Sequence, residues 1–155
     1  MFSWLAERQA MLGLSEDTNM TKDEVIDLIK DAGYCVLATV DGDTPKARPI
    51  MPYLTEDGNL LIATFPQKRI VAQIKKNPKV ELCYIDRKMC FARISGKASI
   101  LDDAEKKSLA FNNVPMLRQY FSGPEDENFL LIEVNTDTVE AMNPQQRMPD
   151  VLSLK

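Results

Sequence analysis

Lys68 and Arg69 open a stretch, 68–76, in which Ile70, Val71 and Ile74 recur at helical spacing and predict a short helix. A helix begins with unpaired N–H groups and the positive end of its dipole, so an exposed cation there is unfavourable by about 0.3–1 kcal/mol. Two cations at that position point to an anion. A phosphate gains from the N–H groups, the dipole and both charges at once. Two solvated first-turn side chains are the alternative reading. Upstream, Pro49 and Pro52 fall in one extended run, 45–55. Proline cannot donate to a ladder, so such a strand lies at an edge or is bulged, with carbonyls and amides free for a ligand.

The remaining chemistry is narrowed by what the chain lacks. It has 155 residues and no histidine, which removes Ser-His and Cys-His catalysis, imidazole metal sites and imidazole-ligated haem. Three cysteines, Cys35, Cys83 and Cys90, form no Cys-x-x-Cys pair, so no metal site is expected. Cys35 and Cys83 sit in apolar runs and read as small buried hydrophobes of a reducing compartment. A net charge of −4 gives no general attraction to nucleic acid. Charges interrupt the first residues where a signal peptide needs an apolar stretch, and no run approaches membrane-spanning length. The expectation is a cytoplasmic protein with no nucleic-acid or membrane partner.

The positioning elements follow from periodicity. Residues 1–19 read as a helical extension and linker, 20–142 as one domain, and 143–155 as a tail without a period. Thr21 and Glu24 are spaced for a capping box before a helix over 22–32, with Met20 placed to pack on Val25. Alternation then predicts strands over 34–40, 45–55 and 59–64 as a three-stranded meander turning at Asp41-Gly42-Asp43 and Glu56-Asp57-Gly58. After the helix over 68–76, strands are predicted over 79–85 and 89–101, with a bulge at Gly96. A helix over 102–111 is broken by Asn112-Asn113, a short turn follows Pro115, and a strand covers 129–134 with a continuation near 139–142. The fold class is therefore mainly β within α+β, an antiparallel barrel with peripheral helices.

The ordered set 38–51, 58–64, Lys68-Arg69, 73–82 and Gly96-Lys97-Ala98 resembles the FMN-binding core of the pyridoxamine 5'-phosphate oxidase-like superfamily, in particular its small, general-stress-protein-like members. The resemblance implies a six-stranded split β-barrel that dimerises, with FMN sites in the clefts between subunits. It places Arg48 against the flavin, followed by the backbone of Pro49, Ile50 and Met51. A permanently charged guanidinium there stabilises the anionic reduced ring; an arginine on an exposed barrel face is the alternative. The resemblance also places Ala63 and Thr64 at the end of the third strand, and Lys68 and Arg69 on the helix, around the phosphate. Phe91 lies near where relatives contact the ring across the dimer cleft, although core packing explains a phenylalanine there as well.

Departures from the family pattern limit the substrate. The window that often reads Ser-Arg-Lys is Lys68-Arg69-Ile70 here, so one basic residue is lost. True pyridoxamine 5'-phosphate oxidases carry a basic residue five places after the flavin arginine, where this chain has Tyr53, and a C-terminal histidine and arginine signature that this chain lacks, Arg147 being the only arginine of its tail. Haem-degrading relatives need a histidine. No side chain stands out as a general acid or base. The expectation is an FMN-dependent oxidoreductase of an unidentified small molecule. A non-catalytic flavin-binding stress or sensor protein, and a relative using deazaflavin F420 or reducing nitroaromatics, are the alternatives.

Overall fold

The computed structural model describes residues 19–155; the predicted extension, apart from Asn19, lies outside the described residues. Helix α1 (Lys22–Ala32) starts as its sequence demands: the Glu24 N–H donates to Thr21 Oγ1 at 3.2 Å, and the Thr21 N–H donates to Glu24 Oε2 at 3.0 Å. The helix buries Val25, Leu28 and Ile29.

Among the described residues eight strands form one antiparallel sheet: β1 (Cys35–Asp41), β2 (Thr44–Ile50), β3 (Tyr53–Leu54), β4 (Leu60–Thr64), β5 (Lys79–Ile85), β6 (Phe91–Leu101), β7 (Leu130–Met142) and β8 (Asp150–Leu152). Their order is β2-β1-β5-β6-β7-β4-β3, with β8 also paired to β7. The run 45–55 is therefore two strands separated by Met51 and Pro52. β2 pairs with β1 while β3 pairs with β4, so the three-stranded meander does not form. This division has a geometric consequence. β2 and β3 are the two edges of the sheet, and a two-residue link joins them, so the sheet must curl until its ends approach. That curl is the split barrel. The strand count exceeds the expected six because 45–55 divides and the tail adds β8, while the two pieces expected near the C-terminus fuse into β7.

The core fills the curl. Leu37, Ile62, Leu82, Ile94, Ile132, Val134 and Val139 point inward, and α1 closes over β5 and β6. Helix α2 (Arg69–Lys76) packs on β1 and β6 through Ile70, Val71 and Ile74. β4 is covered on both faces, Leu60 and Ile62 by the main core and Leu61 by a second cluster with Ala110, Phe121, Phe129 and Leu131. Helix α3 (Ala104–Asn113) supplies Ala110 and is capped by Asp103, whose carboxylate accepts from the Lys106 N–H at 3.0 Å. Asn112 and Asn113 form its last turn instead of breaking it, with Asn113 Nδ2 donating to the Leu109 carbonyl at 2.8 Å.

The register shift expected at Gly96 occurs between Ser95 and Gly96. A Cβ at Gly96 would lie 2.6 Å from the Asn135 carbonyl oxygen, so the strands approach too closely for any side chain. One expectation fails for a reason that periodicity explains. Cys83 is exposed, because β5 alternates and directs Val80, Leu82 and Tyr84 inward. The stretch 143–155, expected as a tail without a period, docks on the barrel. β8 pairs with β7, Leu154 is buried, and Asp150 Oδ2 accepts from the Met20 N–H and from Gln146 Nε2, each at 2.8 Å. Among the described residues no helix is long and apolar enough to cross a membrane.

Candidate functional site

β2 is an edge strand carrying Pro45 and Pro49, which only an edge tolerates without losing ladder bonds. Between them Arg48 stands opposite Leu37 of β1. Its guanidinium folds back over β1: Nη1 donates to the Leu37 carbonyl at 3.3 Å and to Thr39 Oγ1 at 2.8 Å, and Nη2 donates to Gln73 Oε1 at 2.7 Å. The Thr39 hydroxyl donates to the same Gln73 oxygen at 2.6 Å. Burial lowers the Arg48 pKa from its ordinary value; a guanidinium remains charged regardless. An arginine free on an exposed barrel face is not what the fold builds.

At the end of β4, Ala63 and Thr64 lead into a turn closed by the Lys68 N–H to the Phe65 carbonyl at 3.1 Å. That turn delivers the N-terminus of α2. Lys68 is its N-cap and makes no side-chain capping bond, and no acidic residue stands in the first turn. Lys68 and Arg69 are exposed, whereas Ile70 is buried in the core, so the basic residue missing from the family window is replaced by packing.

These two pieces face one open cleft of about 810 Å³, within the roughly 300–1,000 Å³ range of small-molecule and cofactor sites. Arg48, Pro49, Ile50, Ala63, Thr64, Lys68 and Arg69 all line it. Met51, in the link between the sheet edges, and Phe91 do not. Phe91 pairs with Ile85 and Met142 on the sheet, and Arg93 lies 5.5 Å from its ring.

Four cations, Lys46, Arg48, Lys68 and Arg69, border the cleft against one carboxylate, Asp41. The local field is thus opposite in sign to the net charge of −4, which suits an anionic ligand. An aromatic wall lines the same cleft: the Phe65 ring lies 4.8 Å from that of Phe121 and meets Tyr120 edge-on at 6.4 Å. Sequence reasoning missed this wall, because 120 and 121 follow the short 3-10 turn Pro115–Gln119 far along the chain. It also missed Gln73 and Thr39. Their signal was present: each is a polar residue at a position where the period of its element points inward. Among the described residues no group of three or more His, Cys, Asp or Glu could hold a metal.

A family model described as pyridoxamine 5'-phosphate oxidase matches residues 21–143. General stress protein 26 of Bacillus subtilis (strain 168) is 24% identical over 140 residues, which span 86% of this chain and 96% of that protein. The crystal structure of the General Stress Protein 26 from Bacillus anthracis str. Sterne superposes with a TM-score of 0.74 at 30% identity, covering 86% of this chain and 98% of the other. A pyridoxamine 5'-phosphate oxidase-related, FMN binding protein from Nostoc punctiforme PCC 73102 shares the fold at 16% identity, with a TM-score of 0.64 and coverage of 83% and 85%. Because the match runs through β1 to β7 and through every residue of the cleft, the chain belongs to the pyridoxamine 5'-phosphate oxidase family.

Proposed function

We propose that this chain is a cytoplasmic flavoprotein that holds FMN in the cleft and acts as an FMN-dependent oxidoreductase on a small molecule. The observation that carries the reading is one cleft joining a clamped guanidinium, Arg48, to a bare helix N-terminus flanked by Lys68 and Arg69. FMN is long, with a dianionic phosphate at one end and an electron-accepting ring at the other, and it supplies hydride or electron transfer when bound. In this assignment Thr64, Lys68, Arg69 and the first N–H groups of α2 hold the phosphate. Arg48 then favours negative charge on the reduced ring, and the backbone of Pro49 and Ile50 lines the same wall.

A second copy of the chain is the partner we propose. The sheet face next to the cleft carries a cross-strand row of Pro49, Val36 and Cys83, all exposed, with Tyr34 and Ile85 beside it. An exposed apolar patch continuous with an open ligand site fits a homodimer that closes the cleft. Light scattering is expected to give twice the chain mass.

The cofactor assignment is tested with Arg69→Ala. Loss of a charge-assisted hydrogen bond to phosphate should weaken FMN about tenfold or more while leaving riboflavin, which has no phosphate, nearly unchanged. Equal losses for both ligands would remove Arg69 from the phosphate. Bleaching of the visible flavin bands by a nicotinamide cofactor tests the oxidoreductase reading; a bound flavin that no donor reduces would leave a binding protein.

A further inference from the structure

The chain spends two buried polar side chains on Arg48. Thr39 is 2% exposed and Gln73 7%, and both occupy positions that the periods of β1 and α2 assign to the core. Burying a hydroxyl and an amide is costly unless their bonds are satisfied. Here they are satisfied by one another and by a guanidinium that is itself only partly buried.

The polarity of this network is fixed by chemistry. Arginine has no acceptor, so the Gln73 atom at 2.7 Å from Nη2 must be its carbonyl oxygen, which settles the orientation of the amide. The same oxygen then requires the Thr39 hydroxyl to donate to it at 2.6 Å, leaving a lone pair of that hydroxyl for Arg48 Nη1 at 2.8 Å. Each bond can exist only in one direction. The guanidinium is therefore held at three points, two on β1 and one on α2, the helix whose N-terminus carries Lys68 and Arg69.

We propose that Gln73, supported by Thr39, is a positioning residue: its side-chain oxygen aims Arg48 into the cleft and ties that aim to the helix that presents the anion site. Gln73 acts as an acceptor, through Arg48, and is not itself a catalytic residue. The inference rests on the flavin reading, because its readout is the affinity for the ring end of the ligand. Gln73 lies four residues after Arg69, about 6 Å further along the helix axis from the phosphate end.

The experiment titrates the full chain and its variants with riboflavin and with FMN by flavin fluorescence quenching, with thermal unfolding of each variant in parallel. Gln73→Met removes the acceptor and should weaken both flavins alike, by about tenfold, since one charge-assisted hydrogen bond is lost and the guanidinium is freed. Gln73→Glu keeps the acceptor oxygen and should restore both affinities to within about threefold, the change expected when Arg48 keeps its anchor. In an Arg48→Met background, Gln73→Met should cost nothing more, because a residue acting through another is silent once that other is gone. Thr39→Val, which keeps the shape and β-branching, provides the same test should Gln73→Met not fold. Flavin affinity insensitive to both Gln73→Met and Thr39→Val overturns the inference alone. So does an equal loss with and without Arg48, or a folded Gln73→Glu that fails to recover binding. A wild-type chain that takes up neither flavin overturns the flavin reading and this inference with it.

Discussion

Gly58→Ala probes how the C-terminal segment is joined to the barrel. Gly58 ends the turn before β4, with φ at +84°, and its carbonyl accepts from the Thr136 hydroxyl at 2.6 Å. A side chain at that φ costs about 1–2 kcal/mol by itself. Its Cβ would also run into the Leu154 backbone, 2.7 Å from the carbonyl carbon and 3.2 Å from the Leu154 Cβ, so the tail or the turn must move. Overpacking of this kind costs typically a further 1–3 kcal/mol, giving about 2–5 kcal/mol in the full chain. The second part disappears if Leu154 and Lys155 are removed, although the truncation itself forfeits burial of one leucine, about 1.5–3 kcal/mol. Urea unfolding followed by circular dichroism on four chains measures the cycle: the full-length chain and one ending at Ser153, each with and without Gly58→Ala. The expected coupling is about 1–3 kcal/mol, with the substitution costing only its backbone share in the shortened chain. An equal cost in both backgrounds would refute the docking of the tail on this turn as the source of the clash.

Other consequences follow from buried groups and from the second groove. Burial pushes the Cys35 thiol up to about 12 from 9.0, so the unfolded chain ionises first and the fold loses stability as pH rises from about 9 towards 12. Unfolding free energies from urea titrations at pH 8, 9 and 10 should fall less steeply for Cys35→Ala than for wild type, by up to about 1.4 kcal/mol per pH unit; parallel curves would contradict the assignment. The buried Tyr84 hydroxyl has no hydrogen-bond partner of good geometry among the described residues, the neighbouring Cys35 thiol being only a weak one. Tyr84→Phe should therefore be neutral or stabilising by about 1 kcal/mol, and a clear loss in thermal unfolding would show a hidden partner. Pyridoxamine 5'-phosphate should not be oxidised at a useful rate. Tyr53 lies in a separate groove with Glu56, Asp57, Asp103 and Glu105, whose one cation, Lys106, is already paired with Glu133 at 2.7 Å. Carboxylates repel a substrate phosphate there, and pyridoxal 5'-phosphate formation approaching about one turnover per second would refute this.

Much of the local structure was legible because it is decided by neighbours in the chain. The capping box at Thr21 and Glu24, the period of α2, the alternation of β5 and the bulge at Gly96 each depend on residues a few positions apart. Two cations that line the cleft were legible for the same reason: Lys68 and Arg69 are misplaced charges on a helix start, and that misplacement needs no tertiary knowledge to notice. Pro49 and Pro52 announced an edge or a bulge, and Pro49 lies in the edge strand β2, since a missing N–H is a property of the residue itself.

The tertiary structure alone decided what lies opposite what. Met51 and Pro52 break one predicted strand, and the sheet curls because its two edges are joined there, which is a consequence of pairing order rather than of local preference. Pairing order also brings Thr39, Arg48 and Gln73, which are 9 to 34 residues apart, to one oxygen, and sets Phe121 against Phe65. Cys83 was misplaced by its apolar neighbours, whereas the alternation of β5 puts it on the exposed face with Lys79 and Glu81. The tail has no period since β8 is short and its docking is made by single residues, Asp150 and Leu154, against the distant Met20 and Gly58. Sequence specifies the chemistry that each element can offer; the long-range contacts, whose entropy cost only the complete core offsets, determine which of those offers meet in one cleft.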